Sequence, residues 1–159
     1  MKVFVEPTDP PKDKRSNIRY LAWFLATILL VMVLGQLFAF ERFVPLVESF
    51  WLPGGRPVAY LTASLIVVSE VFALPYLLGM RLSSAMRYLS AICAVVAPSI
   101  WLLVVVWLNL TVNAVTNIGL FGTKFALPVG WWAVFFVLAI MVLVVWVLRG
   151  RPLALGHSN

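Results

Sequence analysis

The chain is poor in the residues that build catalytic and metal sites. Its one cysteine, Cys93, leaves no intrachain disulfide, no Cys-x-x-Cys redox pair and no thiolate zinc cluster. Its one histidine, His157, sits in a polar tail and reads as solvated. Charged residues make up 11% of the chain, less than half the roughly 25% of a soluble domain, and only six are acids. With so few titratable groups, classical acid–base and metal sites have few candidates; no complete catalytic constellation, haem ligand pair or nucleotide motif is visible, and the residues name no cofactor.

Apolar residues take the place of the missing charge. They amount to 63% of the chain, and the mean hydropathy is +1.02, which marks a membrane protein. The net charge of +6 and the pI near 10 do not point to nucleic acid. The basic side chains are not pooled in a patch; they flank apolar runs, as topology signals do.

Taken in order, residues 1–19 form a polar tail in which Pro7, Pro10 and Pro11 forbid a continuous helix. No signal peptide is expected, because the next apolar run is too long for one and no small-residue cleavage site follows it. Four apolar spans are predicted at about 20–40, 57–80, 88–110 and 128–148, followed by a tail over 149–159. About 20 helical residues cover the 30 Å of a hydrocarbon core. After the first span, Phe43, Leu46, Val47, Phe50 and Trp51 recur at helical spacing opposite Glu48 and Ser49. That pattern predicts a short amphipathic segment lying in the membrane interface. The fold class is therefore an all-α membrane protein, a four-transmembrane-helix bundle with one interfacial segment. The bilayer is its first partner, and other membrane subunits or further copies of the chain are expected to cover its helices.

Four spans put both termini on one side. That side carries nine Lys and Arg: five in the first tail, Arg81 and Arg87 in the second turn, and Arg149 and Arg151 after the last span. Arg42, Arg56 and Lys124 make three on the other side. The positive-inside rule places both termini in the cytoplasm.

One residue breaks the apolar pattern. Glu70 lies within the second span, where an ionisable group costs roughly 2.5–3.5 kcal/mol on insertion scales. Ala59, Ala63, Ile66, Glu70, Ala73 and Leu77 share one helical face, bordered by Thr62 and Ser69. Small residues let helices approach closely in lipid, so Glu70 is expected to face the bundle interior. The third span offers a matching face of Ala91, Ala94, Val95, Pro98, Leu102, Val105 and Asn109. Pro98 frees the Ala94 carbonyl, and Glu70, protonated or bonded to a neighbour, could use that carbonyl or the Ser99 hydroxyl. A register-locking role for Glu70 is weighed against a proton relay, a ligand contact or a cation from a partner subunit. Gln36, Glu41, Arg42 and Asn109 are a candidate polar cluster at the other end of the bundle. Asn109-Leu110-Thr111 matches a glycosylation sequon but abuts the membrane, and Cys93 reads as a small apolar residue.

Ser69-Glu70-Val71-Phe72-Ala73-Leu74-Pro75-Tyr76-Leu77-Leu78-Gly79, with the basic turn that follows, resembles the second span of DoxX-like and MauE-like membrane proteins. Asn117-Ile118-Gly119-Leu120-Phe121-Gly122 and Pro128-Val129-Gly130-Trp131-Trp132 are similar to the MauE-like loop and fourth-span start. Ile118 and Leu120 stand where the MauE-like cysteines would be, so a thiol–disulfide role is lost here. The resemblance implies a four-helix protein of a prokaryotic plasma (inner) membrane, serving as an accessory subunit of redox or sulfur-handling enzymes. A non-catalytic accessory or anchoring subunit is the expectation. A small transporter using Glu70 and a subunit of a quinone-linked oxidoreductase are the alternatives.

Overall fold

A computed structural model describes Asp9, residues 16–111 and residues 115–151. The rest of both tails, with His157, and residues 112–114 lie outside the described residues. Five helices follow one another: α1 (Ser16–Leu37), α2 (Phe40–Glu48), α3 (Gly55–Leu77), α4 (Ser84–Thr111) and α5 (Trp131–Gly150). Four of them, all but α2, are long and apolar enough to cross a bilayer. This is an integral membrane protein with four spans, as its hydropathy predicts. The 28 residues of α4 reach about 42 Å, so it outruns the roughly 30 Å hydrocarbon layer by about two turns.

Each long helix packs against two others. α1 touches α3 and α5, and α4 touches α3 and α5, while α1 and α4 make no close backbone approach among the described residues, nor do α3 and α5. The helices therefore stand at the corners of a square, each antiparallel to its neighbours, with side chains rather than backbone meeting across the middle. Only 33–44% of each span is buried, so most of each helix surface is left to lipid. Leu61, Leu103 and Phe135 point outward, and Trp131, Trp132 and Phe38 lie exposed at the end remote from the termini, as an aromatic belt does.

The segment after the first span is helical as predicted, but its apolar face meets protein. Phe43, Val47 and Phe50 are fully buried against the bundle, and the Phe43 ring lies 6.5 Å from that of Trp101 on α4. α2 leans on α3, and Trp107 donates to the Phe50 carbonyl.

At the terminal end α3 closes in a Schellman motif. Gly79 N–H donates to Tyr76 O and Met80 N–H to Pro75 O, with Gly79 in the left-handed region at φ 69°. Arg151, just past α5, donates to Tyr76 O at 2.7 Å and Leu77 O at 3.3 Å, while Tyr76 Oη donates to Arg151 O. A cation at a helix C-terminus also complements the helix dipole. Pro75 removes one donor from this last stretch of α3. There Ser90 Oγ of α4 accepts from Tyr76 N–H and donates to Phe72 O, bridging the ladder between helices.

Candidate functional site

The square arrangement turns one face of α3 toward both α1 and α4, and Glu70 stands on that face with its side chain fully buried. Trp101 Nε1 of α4 donates to Glu70 Oε1 at 2.8 Å, and Gln36 Nε2 of α1 donates to the same oxygen at 3.4 Å. Gln36 Nε2 also reaches the Leu120 carbonyl at 3.2 Å. One carboxylate oxygen thus links α1 and α4, two diagonal helices whose backbones make no close approach among the described residues. Glu70 is the pin across the square.

The connection between α4 and α5 closes this node from the end remote from the termini. Ile118 and Leu120 are fully buried, and Asn117 holds the segment in shape. Its Oδ1 accepts from Gly119 N–H and Leu127 N–H, and its Nδ2 donates to Gly122 O. Gly122, in the left-handed region at φ 79°, lies backbone to backbone against Gly35 of α1. A Cβ on either residue would collide with the other strand of chain, so this approach requires two glycines. It is what carries the Leu120 carbonyl within reach of Gln36.

Two buried atoms of the node accept nothing: Glu70 Oε2 and Gln36 Oε1. Glu70 Oε1 and Gln36 Nε2 already form one half of an acid–amide pair. A single proton on Oε2, donated to Gln36 Oε1, would complete the other half and satisfy both orphans. No Lys or Arg ion-pairs with Glu70 among the described residues; the ion pairs there are Arg56–Glu48, between α2 and α3, and Arg81–Asp9, between the α3–α4 turn and the first tail. The arrangement suits a structural hydrogen-bond hub with room for one proton.

The other residues anticipated from sequence fall elsewhere. Ser69 Oγ donates to Ile66 O and Ser99 Oγ to Val95 O, each within its own helix. Pro98 is buried in α4, one turn before Trp101. Gln36 joins Glu70 rather than Glu41 and Arg42, which are exposed on α2. Asn109 donates to Val105 O and Gly130 O, tying α4 to the start of α5. No group of three or more His, Cys, Asp and Glu sits together among the described residues.

No family model, curated protein or solved structure matches the chain. The DoxX-like and MauE-like resemblance therefore rests on the short motifs that carry it.

Trp101 and Leu120 were not anticipated as part of the node. Trp101 was nevertheless legible: it lies seven residues after Ala94 and three after Pro98, on the same helical face. A tryptophan well inside a span, away from either interface, was the available signal. Leu120 contributes only a carbonyl, and no side-chain pattern marks that.

Proposed function

We propose that this protein is a non-catalytic accessory or anchoring subunit of a membrane complex, with Glu70 holding its bundle together. The observation that carries this reading is that the one acid within the spans is enclosed and already bonded to Trp101 and Gln36. A transport site needs an acid that exchanges with water on two sides. Here the buried Ile118–Leu120 segment stands over the node instead. The small square bundle also leaves broad helix faces on which a larger membrane partner could pack. The DoxX-like resemblance supports a partner among redox or sulfur-handling complexes of a prokaryotic plasma membrane, and the charge bias supports cytoplasmic termini.

The test is made in native membranes. Mild-detergent extraction followed by native electrophoresis and identification of the bound chains is expected to recover a stoichiometric second membrane subunit. Recovery of a lone homo-oligomer overturns the reading. One observation favours a second role, a proton site, because Glu70 Oε2 and Gln36 Oε1 both lack partners. Proteoliposomes separate the two: the accessory role expects no Glu70-dependent proton flux, and a flux abolished by Glu70→Gln establishes the second.

A further inference from the structure

At the end of the bundle remote from the termini, a cleft of about 440 Å³ opens between the last turns of α1 and the segment leading into α5. That is the size of a small-molecule site. The contact between Gly35 and Gly122 forms its floor, because it brings the connecting segment flat against the helix. Val31 and Phe38 wall one side; Phe121, Phe125 and Leu127 wall the other. Phe38 is 81% exposed and Phe125 67%, so the cleft opens sideways toward lipid. Its lining is almost wholly apolar, with a single charged side chain, Lys124. Lys124 is exposed and has no ion-pair partner among the described residues.

We propose that this cleft is a binding site for an anionic phospholipid, with one acyl chain between Phe38 and Phe125 and the phosphate beside Lys124. The lining excludes an extended peptide segment, whose backbone N–H and C=O groups would find almost no partners there. An acyl chain has no such requirement. The connection carrying Lys124 joins α4 to α5 at the level of the exposed Trp131 and Trp132, where headgroups lie. One unpaired cation at that level attracts an anionic head by about 1 kcal/mol. A zwitterionic headgroup brings its own cation and gains much less. A second apolar groove of about 420 Å³, between α3 and α4 beside Leu103 and Trp107, has no charged side chain in its lining. It serves as an internal control, since it selects no headgroup. The inference rests only on the four-span membrane architecture and is independent of what complex the protein serves.

Native mass spectrometry of the full chain tests it, with phosphatidylglycerol and phosphatidylcholine of identical acyl chains in competition. The wild-type protein is expected to retain the anionic lipid about fivefold over the zwitterionic one, the ratio equivalent to about 1 kcal/mol. Lys124→Ala is expected to bring the ratio to near one, and Lys124→Arg to keep it. Val31→Trp, which fills the cleft, is expected to weaken retention of both lipids. Glycerol phosphate, the head without a chain, is expected not to compete. Parity in the wild type, an unchanged preference in Lys124→Ala, or full competition by glycerol phosphate would each overturn the proposal. Lys124 is exposed, and matched melting curves of the variant and the wild type would establish that any change reflects binding rather than folding.

Discussion

Replacing Trp101 by phenylalanine deletes one N–H from the centre of the bundle and keeps a ring against Phe43. That N–H supplies the short bond to Glu70 Oε1, 2.8 Å, and the remaining donor, Gln36, is 3.4 Å away, at the limit of a hydrogen bond. Leaving a buried acceptor short of a donor costs about 1–3 kcal/mol in proteins at large. In lipid the unfolded helices also find partners, and measured pairs average about 0.6 kcal/mol with a maximum near 1.7. Trp101→Phe is therefore expected to destabilise by about 1–2 kcal/mol, the smaller ring included. Glu70→Gln keeps Oε1 for Trp101 and puts an amide N–H2 where Gln36 Oε1 lacks a donor. It is expected to lie within about 1 kcal/mol of wild type. Glu70→Ala leaves the Trp101 donor unpaired, leaves Gln36 Nε2 only the Leu120 carbonyl, and opens a cavity, so about 3–5 kcal/mol is expected. Reversible unfolding in mixed micelles, followed by far-ultraviolet circular dichroism, ranks the three. A second readout is the infrared carbonyl stretch of a protonated carboxyl, present in wild type and absent in Glu70→Gln. If Glu70→Gln proves as costly as Glu70→Ala, the node needs a negative charge, and the acid–amide pairing is refuted.

Three further outcomes follow from the same geometry. Arg151→Ala removes the donors to Tyr76 O and Leu77 O at the end of α3 and is expected to cost about 1.5–3 kcal/mol in the same unfolding assay. Ser90→Ala strips the bridge between Tyr76 N–H and Phe72 O and is expected to cost about 1–2 kcal/mol, with a wild-type oligomeric state on native electrophoresis. Gly122→Ala places a Cβ in the Gly35 backbone and a non-glycine residue at φ 79°. It is expected to cost about 1–3 kcal/mol and to speed protease cleavage within 115–130 while the spans stay protected.

The number and order of spans were written in the sequence because they depend on local quantities. A run of 20 apolar residues is long enough or it is not, whatever it packs against. The anomaly of Glu70 was legible for the same reason, and so was its inward direction, since the small residues Ala59, Ala63 and Ala73 share its face. The partners of Glu70 were a different matter. Gln36 belongs to the last turn of α1, and its sequence neighbours Glu41 and Arg42 suggested a cluster at the end of the bundle. Its side chain instead leans back along the helix, as helical side chains do, and meets Glu70 in the interior. The apolar face of α2 could equally have lain on lipid or on protein, because hydrophobic periodicity names a buried face and not what buries it.

What the sequence alone determined is thus a four-span membrane protein with one acid that has to be sheltered. The tertiary structure decided how that shelter is made. Placing α1 and α4 on a diagonal lets one carboxylate from α3 reach a glutamine and a tryptophan that are far apart in the chain. Bringing Gly122 onto Gly35 sets a main-chain carbonyl beside them. Those contacts depend on helix order around the square and on a backbone approach. Neither is encoded in the pattern of any single segment.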